Sequence, residues 1–304
     1  MPFVQTVLCY PMTRKRRQRT VFFCKKTSTD LNCTSFSVCY NKIIFYDISY
    51  RCISKCFDSK QIPISKKMCG TTCREEGFTT KDLLIVQVEN YERHREVLKR
   101  GPYIRHMDLA VSCSLLVRLT PREMTTNRVT WDMLKQWDMS PDEMFRKAAE
   151  DSRRELPPII ETMSDVIKGF LMEEFLEAAR DDMEQALEKT EKEYEKLFGG
   201  HGADMPEIYV ISNELKVQGA AVVFYTDILE HFAAEKNSDL ILLPSSVHEW
   251  LVLTEASSGD ISGLEAMVRE ANEQVVLPEE ILSEHVYKYS LMSRELKIVD
   301  SAVV

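Results

Sequence analysis

The chain changes composition abruptly near residue 74, and this break constrains its folding more than any single motif does. Residues 1–74 contain neither Ala nor Glu, and they hold eight of the nine cysteines. Their charge balance is +11, whereas residues 75–304 carry −20, which together give the net charge of −9. Such an asymmetry indicates either a basic interaction arm or a segment that lies outside the fold.

Residues 1–74 admit three interpretations. Two C-x3-C pairs fall within the spacing range of zinc ligands. The basic run at residues 14–19, with aromatic residues nearby, is typical of a nucleic-acid-binding arm. We favour a third interpretation, in which the segment has no stable fold and is either disordered or the product of a wrongly started translation. Ala and Glu are missing from it, and its first glycine is Gly70. The candidate zinc ligands are Cys52, Cys56, Cys69 and Cys73.

The acidic remainder is long enough for one domain or two small domains with a substantial core. No run approaches the roughly 20 apolar residues that cross a bilayer, so we expect no membrane span. The single Cys113 suits a reducing compartment, and we therefore expect a cytoplasmic protein. The negative field of this part disfavours nucleic acid as a partner.

The first part of the acidic region predicts a small α+β lobe. Aliphatic residues predict a strand at 83–88, a helix follows at 91–99, and extended chain runs from 103 to 119. A polar stretch from Pro121 to Arg128 is expected to be a loop. The motif Ser140-Pro141-Asp142-Glu143 is a capping box, which predicts a helix from Pro141 to about Arg154.

A single long acidic helix is expected next. Pro157-Pro158 breaks the chain, Ser164 is placed to cap the helix, and Gly199-Gly200 is placed to end it. The helix over 164–198 would be a rod on the order of 50 Å. Such a rod can be a coiled-coil arm for self-association or a linker with a solvated face.

The last hundred residues alternate strands and helices. Strands are expected at 208–211, 219–224, 240–243 and 249–253, helices after Thr226 and Ser262, and a closing hairpin over 285–299. The fold class is therefore α+β, an antiparallel or mixed sheet with helices packed on it and one long helix. We expect four parts along the chain. The basic, cysteine-rich segment covers 1–74, a first α+β lobe covers 75–162, the connecting helix covers 163–200, and a second α+β lobe covers 201–304.

Candidate chemistry is sparse. His248-Glu249 has the glutamate of a zinc peptidase motif but lacks the second histidine, since position 252 is Val. Ser245 and Ser246 precede it without a nucleophile elbow. His106 and Asp108 are expected to alternate on one strand and share a face. The candidate catalytic residues are His248, Glu249, Asp108 and His285; we expect no cofactor.

Several motifs between residues 80 and 300 are shared with one protein family. They are Asn90-Tyr91-Glu92, Pro102-Tyr103-Ile104-Arg105, Asp108-Leu109-Ala110, Trp137 with Ser140-Pro141-Asp142-Glu143, Gly219-Ala220-Ala221, and the segments 243–249, 268–272 and 278–287. On these residues the chain resembles an uncharacterised bacterial family common in clostridial gut anaerobes, domain-of-unknown-function family 5688. The resemblance covers roughly residues 80–300 and implies no activity.

The leading functional hypothesis is a non-catalytic binding protein. It would contact an unknown protein partner, or a second copy, through the 207–304 layer or the helix at 164–198. One alternative is a hydrolase-like enzyme that uses His248 and Glu249 with Asp108 or His285. A second alternative is nucleic-acid binding through residues 1–74.

Overall fold

The computed structural model describes residues 6–8, 21–23, 83–120, 123–178, 182–199 and 206–299. The chain divides into two compact units, Met1–Ile44 and Phe45–Val304. In the first unit, strands β1 (Thr6–Leu8) and β2 (Val21–Phe23) pair antiparallel. The rest of what the sequence suggested for residues 1–74 lies outside the described residues.

Helices and antiparallel strands make up the second unit, which confirms the α+β class. Its helices are α1 (Tyr91–Leu98), α2 (Trp131–Trp137), α3 (Pro141–Glu155), α4 (Met163–Ala178), α5 (Met183–Phe198), α6 (Val222–Tyr225), α7 (Ile228–Lys236) and α8 (Ile261–Gln274). Its strands are β3 (Leu84–Asn90), β4 (Tyr103–His106), β5 (Leu109–Thr120), β6 (Glu123–Arg128), β7 (Pro158–Thr162), β8 (Tyr209–Asn213), β9 (Leu240–Ser246), β10 (Glu249–Thr254), β11 (Tyr287–Ser290) and β12 (Glu295–Ile298). None of the helices in the described ranges is long and apolar enough to cross a membrane.

Strand β5 is the centre of a four-stranded antiparallel sheet. β3 pairs along one side of β5, while β4 and β6 share the other side. The loop expected at 121–128 was therefore wrong over Glu123–Arg128, which form β6. Met124 packs against the buried Ile85 and Leu116, whereas Thr125 and Asn127 are exposed. Exposed side chains alternate with partly buried ones in β6, and a strand of this kind has a mostly polar sequence. The sequence therefore suggested a loop.

The second sheet has six antiparallel strands in the order β12-β11-β9-β10-β8-β7. Most of its strands were expected, including the closing hairpin of β11 and β12. Strand β7 was not expected, because Pro157-Pro158 was interpreted only as a break. Pro158 is the first residue of a terminal strand, which is a position where proline fits a sheet.

One hydrophobic core is shared by the two sheets. It joins Val86 of β3 and Val111 of β5 to Ile211 of β8, Leu242 of β9 and Trp250 of β10. The expected boundary after residue 162 falls between β7 and α4. Strand β7, which the sequence assigned to the first lobe, is thus part of the six-stranded sheet.

The segment expected as one long helix forms two helices that fold back on each other. The Lys168 ammonium of α4 lies 2.9 Å from a carboxylate oxygen of Glu191 in α5, and the Thr190 hydroxyl faces the Met172 sulfur at 3.7 Å. Residues 168 and 191 would be about 35 Å apart on one straight helix. Asp182 explains the break, because its side chain accepts the Gln185 N–H and so begins a new helix.

The segment 219–224 was expected as a strand but is helical. It forms a 3-10 turn at Gly219–Ala221 that continues directly into α6. A Cβ on Gly219 would lie 2.5 Å from the His248 carbonyl oxygen and 2.8 Å from the Asn213 nitrogen. The chain must therefore pass the ends of β8 and β10 closely, and the apolar residues that follow are buried in the core instead of lying in a ladder.

Helix starts follow capping chemistry, although not always at the expected residue. The capping box of Ser140 and Glu143 is confirmed, with both reciprocal hydrogen bonds present. Helix α4 is capped by Thr162 rather than Ser164, since the Thr162 hydroxyl accepts the Asp165 N–H at 3.1 Å. Helix α8 is capped by Asp260 rather than Ser262. In both cases the oxygen two residues earlier reaches the free N–H groups.

Candidate functional site

The sequence-predicted pair His248 and Glu249 lies where β9 turns into β10, at one end of the six-stranded sheet. The His248 Nδ1 accepts the Gln218 N–H at 3.1 Å, and its Nε2 lies 3.3 Å from a carboxylate oxygen of Glu280. The Val247 N–H donates to the Glu280 carbonyl at 2.9 Å. Two loops, at Gln218 and Glu280, therefore converge on this turn, and the imidazole lies between them.

Glu249 is a buried acid. Its residue is 1% exposed, as is Ser245, whose hydroxyl donates to Glu249 Oε1 at 3.1 Å. Burial raises the pKa of Glu249 to about 7, although His248, Ser245 and Lys216 each oppose that shift. In this conformation the side chains of Glu249 and Ser245 are not accessible to a substrate.

The described part of the chain has four buried side-chain atoms without a hydrogen-bond partner, and all four belong to this region: Glu161 Oε2, His248 Nε2, Glu249 Oε2 and Glu280 Oε2. Glu161 and Glu280 each have a side-chain nitrogen close by: the Lys216 ammonium lies 2.5 Å from Glu161, and the His248 Nε2 lies 3.3 Å from Glu280. Glu249 Oε2 has no hydrogen-bond partner among the described residues, and burial outweighs the opposing effects of His248, Ser245 and Lys216 on its pKa. This carboxyl is therefore best satisfied as the neutral acid. Among the described residues no group of three His, Cys, Asp or Glu side chains is placed to hold a metal ion.

The other two catalytic candidates belong to different surroundings. Asp108 accepts hydrogen bonds from the Tyr287 phenol and, at 2.7 Å, from the Ser283 hydroxyl. His285 is exposed, and its backbone N–H donates to Ser283. Asp108 thus ties the β4–β5 turn to the segment before β11, in a hydrogen-bond network separate from that of His248.

The expectation that His106 and Asp108 alternate on one strand was wrong. His106 ends β4, whereas Asp108 lies in the turn after Met107, which has a φ of 57°. The His106 ring packs edge-on against Phe224 at 5.7 Å. The zinc candidates Cys52, Cys56, Cys69 and Cys73 lie outside the described residues.

A groove of about 480 Å³ lies between β7 and α7, and sequence reasoning missed it. Its apolar lining comes from Pro158 and Ile160 of β7 and from Ile228 and Phe232 of α7. The polar lining residues are Arg153, Thr226, Asp227, His231 and Glu235.

The outer edge of β7 borders this groove with backbone groups that pair with no other strand among the residues the structure describes. The Glu214 N–H donates to the Pro157 carbonyl and the Met163 N–H to the Ile208 carbonyl, which fixes the odd-numbered residues as those bonded to β8. Because antiparallel pairing alternates, Ile160 and Thr162 point their N–H groups away from β8. In the described ranges β7 is the last strand of its sheet, so these groups face outward.

Helix α7 runs alongside β7 in the same direction. The Tyr225 phenol donates to the Leu156 carbonyl at 2.8 Å, near the start of β7. The ring of Phe232 lies 4.8 Å from that of Tyr209, which is the residue opposite Thr162 at the end of β7. Asp227 consequently lies at the beginning of the groove and Glu235 at its end, and both are exposed.

The only local signal for this site was the run Pro158-Ile159-Ile160-Glu161-Thr162, whose residue types favour a strand. Its position at the sheet edge depends on pairing with β8, about fifty residues later in the chain. No pattern within the run itself carries that information.

The sequence model of one family matches residues 41–291, and its description is "Family of unknown function (DUF5688)". The matched range covers most of the chain and includes β3 through β11. It begins earlier than residue 80, where the quoted motifs begin. Neither a curated protein nor a solved structure matches the chain.

Proposed function

We propose that this chain, which belongs to the family of unknown function DUF5688, acts by binding an extended polypeptide segment along the outer edge of β7. The observation that carries the proposal is the outer edge of β7, which lies beside the groove and pairs with no further strand in the described part of the chain. A segment that adds to a sheet edge gains affinity from main-chain hydrogen bonds and specificity from pockets for alternate side chains. We also propose that binding occurs in the cytoplasm, since the single cysteine of the acidic part suits a reducing compartment.

Strand addition requires free backbone groups at a sheet edge and an apolar surface for side chains, and the two lie side by side at β7. The backbone of Ile160 offers an N–H and a C=O, and its side chain is in the groove lining. Every second side chain of an added strand would face Ile228 and Phe232, which are buried. The exposed carboxylates of Asp227 and Glu235 favour polar or basic side chains at the two ends of such a segment.

Binding without a chemical step is supported by the state of the buried acid. Glu249 and Ser245 form the carboxyl–hydroxyl pair that most resembles a catalytic arrangement, and each is 1% exposed. A general base must come within hydrogen-bond reach of the proton it removes. The groove, by contrast, is open to a ligand.

The first test is selection of random twelve-residue peptides displayed on phage, followed by binding measurements on two variants. Ile160→Pro removes an N–H that points away from β8, so the fold is retained while the edge loses a donor. Ile160→Ala retains the N–H and removes only the apolar side chain. We expect Ile160→Pro to weaken peptide binding about tenfold and Ile160→Ala to weaken it less.

Circular dichroism of each variant serves as the control for folding. Selected peptides should show a period of two in their apolar residues, because alternate side chains face the groove. Peptides that bind Ile160→Pro as tightly as the unchanged chain would show that the edge of β7 is not the binding site.

A further inference from the structure

We infer that the segment received by β7 is the β7 strand of a second copy of this chain, so that two six-stranded sheets join edge to edge about a two-fold axis. This inference rests on the proposed strand addition and names its partner. Antiparallel pairing of a strand with itself is isologous, because each copy offers the same edge. Ile160, the middle residue of β7, would lie on the axis.

The free backbone groups of β7 are complementary to themselves in this register. Ile160 of each copy would donate to and accept from the partner's Ile160. The Thr162 N–H of each copy would donate to the carbonyl of the partner's Pro158. Four main-chain hydrogen bonds result, which satisfies the outward N–H groups of both strands.

The two groups that this pairing leaves unused have no need of a partner. Pro158 has no N–H. The Thr162 carbonyl that faces it belongs to the residue that caps α4, and a capping residue gives its carbonyl to the first helical hydrogen bond. A shift by two residues in one direction places the Ile160 carbonyl opposite Pro158, which has no N–H. A shift in the other direction directs the Ile160 N–H to the Thr162 carbonyl, which already accepts the first helical hydrogen bond of α4. The edge therefore selects the register centred on Ile160.

Charges along the groove also match across the two-fold axis. Arg153 and Asp227 lie at the beginning of β7, and Glu235 lies at its end. The two-fold brings the beginning of one copy to the end of the other. Arg153 would then face the partner's Glu235 and offset its repulsion with Asp227. Arg153 is the only Lys or Arg among the described residues that line the groove.

The test is sedimentation equilibrium of the full chain from about 1 to 100 µM. We expect a dimer, and we expect Ile160→Pro to raise the dissociation constant about 30-fold, since two of the four hydrogen bonds lose their donor. Ile160→Ala keeps those donors and should dissociate less. A monomer throughout the concentration range, or a dimer that Ile160→Pro leaves unchanged, would overturn the inference.

Exchanging the charges of Arg153 and Glu235 tests whether these two residues face each other across the two-fold axis. Arg153→Glu alone and Glu235→Arg alone should each weaken the dimer, Arg153→Glu by about tenfold, because two contacts change in each dimer. The double variant restores opposite charges across the axis and should recover most of the loss. Equal weakening by the double variant would contradict the placement of these residues.

A third variant distinguishes an interface at β7 from self-association through α4 and α5. Leu187 of α5 is 53% exposed, and Leu187→Glu should leave the dimer intact. A dimer that Leu187→Glu dissociates would instead assign self-association to α4 and α5. If the chain is monomeric while phage-selected peptides still require the Ile160 N–H, strand addition stands and the second copy is not its partner.

Discussion

Glu249 makes the stability of the protein depend on pH through one residue. Its pKa is raised by burial to about 7 from 4.5, so the folded state holds a proton that the unfolded state releases between those values. The contribution of Glu249 to the free energy of unfolding is therefore greatest at low pH and falls as pH rises through this window, by about 3 kcal/mol. Above pH 7 the fold contains a buried carboxylate with one oxygen unpartnered.

Replacing Glu249 by Gln should remove this dependence, because an amide of nearly the same shape cannot ionise. We expect Glu249→Gln to gain roughly 2–3 kcal/mol over the unchanged chain between pH 5 and pH 8, as measured by urea unfolding. Glu284→Gln, at an exposed carboxyl that pairs with Arg93, is the matched control. A pH-independent difference between Glu249→Gln and the unchanged chain would mean that Glu249 is charged at both values.

At the scale of elements, α3 covers the outer edge of β3. The Leu84 N–H donates to Asp151 at 3.0 Å and the Val86 N–H to the Ser152 hydroxyl at 2.9 Å. These side chains replace a neighbouring strand, and both are buried. The helix therefore closes this edge of the four-stranded sheet, whereas the edge of the other sheet at β7 pairs with no further strand within the described ranges.

Ser152→Ala should cost about 1–3 kcal/mol in the free energy of unfolding, because the Val86 N–H remains buried and loses its acceptor. Ser293→Ala, in the exposed turn between β11 and β12, should change it by less than about 0.5 kcal/mol. Equal effects of the two substitutions would mean that Val86 finds another acceptor. Urea unfolding at a fixed pH provides the comparison.

The elements that the sequence predicted are those whose signals are local. The capping box of Ser140 fixes the start of α3, and aliphatic runs identify β3 and β9. The misses depend on distant partners. Strand β6 needs β5 to cover Met124, β7 needs β8, and the separation of α4 from α5 needs their mutual packing.

The candidate site divides in the same way. His248 and Glu249 were identified from residue type, and their burial could not have been, since it results from loops at residues 218 and 280. The groove had no signal of its own. It arises because α7 lies beside a terminal strand, which is a property of the whole sheet.

At the scale of the whole molecule, the shared core predicts a single cooperative unfolding transition for the two sheets. Trp137 lies in α2 beside the four-stranded sheet and Trp250 in β10, and both belong to the same core. Asp108 adds a polar connection through Tyr287 of β11. Two independently folded lobes would lose structure separately, whereas one core is lost at once.

Variants that retain only Trp137 or only Trp250, with the other tryptophans changed to Phe, report on each sheet by fluorescence. We expect their urea midpoints to agree once each is compared with circular dichroism of the same variant. A lower midpoint for one reporter than for the circular dichroism of its own variant would support the two-lobe interpretation. Tyr287→Phe should lower both midpoints together.

The strand at the opposite end of the six-stranded sheet limits how many copies could associate edge to edge. Strand β12 is four residues long, exposes Lys297 and Glu295, and turns the Ile298 N–H toward the Met107 sulfur at 3.1 Å. Short, charged edges resist further strand addition. A molecule with one receptive end and one blocked end cannot polymerise head to tail, because growth stops once two receptive ends have met. The proposed edge-to-edge association would therefore terminate at a pair and would not lead to fibres.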